Sequence, residues 1–129
     1  MELLDLFPTL VELCGLTEPD GPEGASLVAV LRDPTAHVKK AAFTQFPRPA
    51  YYDREPSATP RAMGCSVRTD LVRYTEWRDW KTGAVIAREL YDARRDPAEM
   101  HNDVDLPELA DAQADAAARL HQQFPAAAR

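Results

Sequence analysis

The sequence is short of several things, and each shortage excludes a class of chemistry. Its 129 residues include only five glycines and two cysteines. Scattered glycines cannot form a phosphate-cradling loop, which needs them at fixed spacing so that backbone amides can surround the anion. Cys14 and Cys65 allow one pair at most, which does not define a disulfide scaffold. His37, His101 and His121 stand far apart, and none has a second ligand type at metal spacing, so a zinc site is not expected. The acids Asp92, Asp96, Glu99, Asp103 and Asp105 lack the alternate-residue ligands and central glycine of a calcium loop and read as a solvated turn. No nucleophile-elbow sequence supports a Ser-His-Asp site. Apolar runs of the roughly 18 residues that a membrane span needs are missing, so no membrane partner is expected. Basic excess is missing too: 15 basic and 21 acidic residues give a net charge of -6, which argues against a nucleic-acid partner. Glu2 and Asp5 sit where a secretory signal carries positive charge, so no signal peptide is expected, and the compartment stays open.

What is present is the composition of a globular chain, 45% hydrophobic and 28% charged, at most one domain of ordinary size. Asp5 is placed to cap a helix whose first turn holds Leu6, Phe7 and Pro8. Leu6, Leu10 and Leu13 recur at helical spacing, and Gly15 is a natural stop. Met1 to Leu4 then form a short apolar lead-in, the end of a strand or a loop. TEPDGPEG reads as a loop, SLVAVLRDP as a short apolar turn, and AAFTQF as a strand. The proline-rich stretch from Arg48 to Arg61 reads as an irregular excursion. MGCSVRT places Met63, Cys65 and Val67 on one face, with Ser66 and Arg68 on the other. VRYTEW alternates again after Asp70-Leu71, which is a hairpin signal. Lys81 to Gly83 supply a second turn, and VIARELY a further strand. Asp105, with Glu108 three positions on, stands in capping-box register before a last helix. Leu109, Ala112, Ala116 and Leu120 form the apolar stripe of that helix, directed at one sheet face. The expected fold class is α+β: a small antiparallel sheet of about four strands packed by a C-terminal helix and preceded by one helix.

Few side chains invite a chemical role. A cysteine near an arginine, as in Cys65-Ser66-Val67-Arg68, can be a nucleophile, but an inward strand cysteine is the ordinary reading. Tyr51 and Tyr52 lie in the excursion, and Trp77 and Trp80 flank the second turn. Aromatic faces with Arg48, Trp80 and Lys81 suit an anionic sugar; core packing and surface snorkelling explain them equally well.

Four segments carry a resemblance. DLFPTLVELCGL resembles the "DLFPTL-x-x-x-aG" helix near the end of the sulfatase catalytic domain. ELYDARRDPAEMHND is similar to the "LYDL-x-x-DP-x-E-x-x-N" strand and turn of the sulfatase C-terminal subdomain. TQFPRP and MGCSVRTDLVRYTEW resemble "SQYPRP" and "MGYSIRT-x-x-YRYT-x-W" of the iduronate-2-sulfatase-like branch. The motifs occur in order and cover Leu4 to Asp103. The resemblance implies a sulfuric ester hydrolase that, when complete, uses formylglycine made from the cysteine of a C-x-P/A-S-R motif, beside a bound calcium. No catalytic residue carries over. Cys65 is followed by Val67 where the motif needs Pro or Ala and by Thr69 where it needs Arg, and Cys14 fails as well. The aspartate pair and Asp-His unit of the family's metal site cannot be placed either, so no cofactor is expected in this chain itself.

The resemblance therefore implies a C-terminal fragment, inactive alone, whose partner is the missing N-terminal sulfatase domain, in cis or in trans. Residues 1–40 would close the large catalytic domain, 41–125 form the C-terminal subdomain, and 126–129 a frayed tail. A sulfated glycan is the implied ligand, with Arg48, Trp80 and Lys81 as candidate contacts. Arg68, Asp5 and Asp96 are assigned structural roles, Arg68 in a charge-assisted pair whose loss, if buried, costs on the order of 3–5 kcal/mol. The alternatives are a free-standing small binding module for anionic sugars and one half of a split sulfatase. Complete family members are often exported or lysosomal, and the Ala-, Arg-, Asp- and Pro-rich composition points to a GC-rich bacterial source.

Overall fold

A computed structural model describes residues 1–49 and 59–125. Tyr51, Tyr52, most of the expected excursion and the tail at 126–129 lie outside the described residues. The chain divides into two compact units, Met1–Ala42 and Phe43–Arg129. It has no helix long and apolar enough to cross a membrane among the described residues.

In the first unit, a 3-10 turn at Leu3–Asp5 runs directly into helix α1, Leu6–Leu13, and a short helix α2 covers Val28–Arg32. Leu3 and Leu4 of the lead-in are thus in a 3-10 turn, and only Met1 and Glu2 are irregular, where a strand end or loop was expected throughout. Pro8 is accepted in the first turn of α1, where amides have no intrahelical partner. Gly15, at φ +64°, ends the helix: its amide reaches Glu12 O at 3.1 Å and the Leu16 amide reaches Val11 O at 3.0 Å, the pairing of a Schellman stop. Asp5 does not cap α1, because it already has helical backbone angles and its carboxylate makes no cap bond to that helix. Fully buried, it accepts the amides of Glu2 at 2.8 Å and Ala25 at 3.0 Å and the Lys39 ammonium at 2.5 Å. Burial raises its carboxyl pKa, but these donors more than offset that and hold it below the usual value. The buried residues of α1 are Pro8, Thr9 and Val11, while Leu6, Phe7, Leu10 and Leu13 stay exposed.

The second unit is a four-stranded antiparallel sheet in the order β1-β2-β3-β4 with a helix on one face. The strands are β1 Ala42–Arg48, β2 Ala62–Arg68, β3 Val72–Asp79 and β4 Val85–Asp92; a 3-10 turn at Pro107–Leu109 leads into helix α3, Ala110–Gln123. The architecture is α+β, as the patterning implied. Thr69 closes the β2–β3 hairpin, its hydroxyl accepting the amides of Leu71 at 3.2 Å and Val72 at 3.1 Å. Asp79 does the same for the β3–β4 turn, accepting the amides of Lys81 and Thr82.

Cys65, Val67, Tyr74 and Leu90 are buried on the α3 side of the sheet, and Leu109, Ala116 and Leu120 are buried on the helix. Complete burial of a side chain such as Leu90 or Leu120 contributes roughly 1.5–3 kcal/mol each. Asp105 does not cap this helix. Leu106 stands at the start of the 3-10 turn with no side-chain cap, and Pro107 follows, so the unpaired amides are reduced by a missing donor instead. Ser66 and Thr75, on the opposite face, are also buried and share a 2.9 Å hydrogen bond. The centre of the sheet is therefore covered on both sides, where simple alternation predicts one.

Candidate functional site

The segment after β4 folds into a turn in which Asp92, Asp96 and Asn102 each hold backbone groups. Asp92, buried, accepts the Arg94 amide at 2.8 Å. Asp96 accepts the amides of Met100 at 2.6 Å and His101 at 2.8 Å, and those amide bonds lower its pKa despite some desolvation. Asn102 pairs with the edge of β4: its side-chain oxygen accepts the Leu90 amide at 2.9 Å and its side-chain nitrogen donates to Arg88 O at 3.0 Å. One side-chain amide thus substitutes for a neighbouring strand along part of that edge.

Glu99 links this turn to the β2–β3 hairpin. Arg68 donates to its Oε1 at 2.6 Å, and Arg73 pairs with its Oε2. Glu99 holds φ +54°, a left-handed conformation that costs a non-glycine residue on the order of 1–2 kcal/mol. Two charge-assisted contacts offset that cost. The carboxylate contact expected of Arg68 is present, but its side chain is 48% exposed. The pair is half-solvated, so its loss costs far less than that of a buried pair.

On the face away from α3 lies an aromatic and cationic stack. Trp77 packs edge-on against Phe46 at 5.1 Å, and the Arg48 guanidinium stands 5.2 Å from the Trp77 ring and 5.4 Å from Phe46. The Trp77 ring N–H donates to Glu89 at 2.9 Å. Trp77 on β3 reaches Phe46 on β1 only by crossing β2, and Gly64 is the residue it crosses. A Cβ there would lie 2.9 Å from a Trp77 ring carbon, so glycine is required by close approach.

Trp80, 43% exposed, lies instead beside a cavity of about 230 Å³ on the α3 side, lined with Gln45, Met63 and Cys65 among others. Lys81 follows it in the turn, exposed. The structure therefore groups Trp80 with Lys81 by chain proximity, while the Arg48 guanidinium belongs to the Trp77 stack on the other face. Cys65 is buried, and Gln45 donates to its sulfur at 3.4 Å; Cys14 is exposed.

Among the described residues, the most densely bonded carboxylate is that of Glu76, which sequence reasoning overlooked. Its buried carboxylate accepts the Tyr74 hydroxyl at 3.0 Å and two Arg78 nitrogens at 3.2 and 3.0 Å, and contacts His121 Nε2 of α3 at 3.0 Å. Arg78 also donates to Phe124 O at 2.7 Å, so β3 grips the last turn of α3 twice. Burial raises the Glu76 pKa, but the bonds from His121, Arg78 and Tyr74 outweigh burial and leave it lowered. Burial and the neighbouring Glu76 charge push Tyr74 up to about 12. A signal existed in the sequence: Glu76 and Arg78 continue the inward parity of Val72 and Tyr74, and a charge at an inward position must find a partner.

No group of three or more His, Cys, Asp or Glu side chains among the described residues is arranged to hold a metal ion. The acids above are spent on backbone amides and arginines. The described residues do not fit the calcium that the resemblance implies for the complete enzyme.

The family described as N-sulphoglucosamine sulphohydrolase, C-terminal, matches residues 1–125. The chain belongs to this sulfatase C-terminal family. Among curated relatives, mouse (Mus musculus) arylsulfatase K is 28% identical over 84% of the chain and 19% of its own length. Mouse iduronate 2-sulfatase is 31% identical over 79% of the chain and 24% of its own length. A solved structure described as a 2-O GAG sulfatase superposes with a TM-score of 0.71 at 26% identity, over 92% of the chain and 23% of that protein. The chain thus spans a quarter or less of the length of the relatives it matches.

Proposed function

We propose that this chain is the C-terminal subdomain of a sulfuric ester hydrolase acting on sulfated sugars of the glycosaminoglycan class, close to the iduronate 2-sulfatase branch, and that it is catalytically silent alone. In this reading residues 1–40 close the large catalytic domain and 41–125 form the subdomain. The formylglycine cysteine and the calcium ligands belong to that large domain, joined in cis or supplied in trans. The observation that carries the reading is the family match along residues 1–125 of a chain that covers only 19% and 24% of the two mouse sulfatases. The chemistry agrees with it: Glu76 with Arg78, and Glu99 with Arg68 and Arg73, are occupied in holding strands, turn and α3 together.

Arg68, Asp5 and Asp96 then act structurally, through the contacts described above. Arg48, Trp80 and Lys81 are assigned to the sugar. Support comes from Arg48, an exposed residue whose guanidinium is held over two rings, and from the half-exposed Trp80 beside its cavity. The same two features favour the second reading, a free-standing binding module for anionic sugars. The DNA around the Met1 codon distinguishes the two. An adjoining frame that encodes a sulfatase body with a C-x-P/A-S-R motif is expected; its absence within a few kilobases contradicts the proposal and leaves the binding module.

A further inference from the structure

On the face away from α3, every strand of the sheet contributes to the setting of Arg48. This residue ends β1 and is exposed, yet its guanidinium stands over Trp77 of β3 at 5.2 Å and over Phe46 of its own strand at 5.4 Å. Gly64 of β2 lies directly opposite Trp77 in the ladder, and its missing side chain lets the indole cross β2 to meet Phe46 edge-on at 5.1 Å. From the other side, Glu89 of β4 accepts the indole N–H at 2.9 Å and so holds the ring in one rotamer. Glu89 is itself occupied by that N–H and by the Tyr91 hydroxyl. No acidic side chain among the described residues pairs with Arg48.

We infer that Trp77 and Glu89 are positioning residues for Arg48, and that they hold its guanidinium as a preformed receptor for an oxyanion of the sugar, carboxylate or sulfate. The inference rests on the reading above, which gives Arg48 to the sugar. An aromatic ring attracts a cation through its quadrupole but takes neither its charge nor its hydrogen-bond donors. The guanidinium therefore keeps its full positive charge and its planar fork of N–H groups, the geometry that pairs with the oxygens of such anions. A mobile surface arginine loses rotamer freedom when it grips an anion. Here folding has already fixed the side chain, so binding meets little of that cost. The contrast with the other arginines of the sheet points the same way. Arg68, Arg73 and Arg78 each pair with an acid, whereas Arg48 is held in place with its charge unspent.

The test follows the Arg48 side-chain N–H and Trp77 ring N–H resonances of the isotope-labelled full chain by NMR at low salt. The titrants are methyl glucuronide, a glucose sulfate and the neutral methyl glucoside. Binding is read well below each variant's melting transition, so a loss of stability does not enter. The inference expects a saturable shift with one or both anions, which names the group received, and none with the glucoside. Arg48→Lys, read through Trp77, should bind roughly tenfold more weakly, because it loses the planar fork. Glu89→Ala, which frees the indole N–H, should bind about threefold more weakly or worse, and Glu89→Gln, which keeps an acceptor for it, should restore wild-type binding. Arg32→Ala, which removes an exposed arginine from α2, should leave binding unchanged. No shift with either anion, or an equal shift with the glucoside, overturns the inference and leaves the family membership in place. Undiminished binding by Glu89→Ala, or no rescue by Glu89→Gln, overturns the positioning roles while Arg48 keeps its contact. Absence of an encoded sulfatase body contradicts the reading above, but not an anion bound at Arg48, which the binding-module alternative also requires.

Discussion

Glu76→Gln is the substitution whose consequence follows most directly from the geometry. The carboxylate is buried and takes hydrogen bonds from Tyr74, Arg78 and His121, with Arg88 at 4.0 Å. Glutamine keeps the volume but removes the charge. It also presents an NH₂ to a set composed largely of donors, leaving the Arg78 guanidinium without its counter-ion. Breaking a buried pair by neutralising one member costs roughly 3–5 kcal/mol. His121 and Arg88 are each about half exposed, so water compensates part of the loss, and about 3 kcal/mol is expected. At roughly 3–4 °C per kcal/mol for a chain of this size, that lowers the melting point by about 10 °C. The pH dependence has a defined sign. Because the folded pKa of Glu76 is lowered, its contribution is complete above the unfolded value near 4.5 and is lost as pH falls through the lower folded value. Urea unfolding of wild type and variant from neutral pH down to about pH 3 should therefore show a gap that is widest at neutral pH and closes in acid. A neutral-pH difference below about 1 kcal/mol, or a gap that widens in acid, refutes the assignment of Glu76 as the latch between β3 and α3.

Two further substitutions probe the opposite face. Gly64→Ala places a methyl group 2.9 Å from the Trp77 ring, which Phe46, Arg48 and Glu89 hold from other sides; overpacking should cost about 1–3 kcal/mol and change Trp77 emission, and an unchanged urea midpoint contradicts the crossing. Arg68→Ala loses a half-exposed pair to Glu99 while Arg73 remains, so the loss should stay below about 1 kcal/mol and shrink in high salt; a loss of 3 kcal/mol or more would show the pair to be effectively buried.

Much of the sheet was legible because a period of two survives in β2 and β3: Met63, Cys65 and Val67, then Val72 and Tyr74, do share the α3 face. The stripe of α3 was legible for the corresponding reason, with Leu109, Ala116 and Leu120 all buried. The caps were not. Asp5 and Asp105 have the right chemistry at the right spacing, but Asp5 is itself the last residue of a 3-10 turn and already has helical angles, while a 3-10 turn after Asp105 moves the start of α3 to Ala110. Cross-strand partners were invisible for another reason. Gly64 opposite Trp77, and Glu99 between Arg68 and Arg73, depend on register and on a left-handed turn residue, which one strand read alone does not encode. Arg48 and Trp80 were grouped by residue type, and the pleat directed them to different surroundings.

The central claim is that this chain is one part of a sulfatase and carries none of its chemistry. Incubating the purified chain with a chromogenic aryl sulfate, with calcium and with a chelator, tests it most directly. The account predicts no release above the buffer blank in either condition. Calcium-dependent turnover by the pure chain would contradict it.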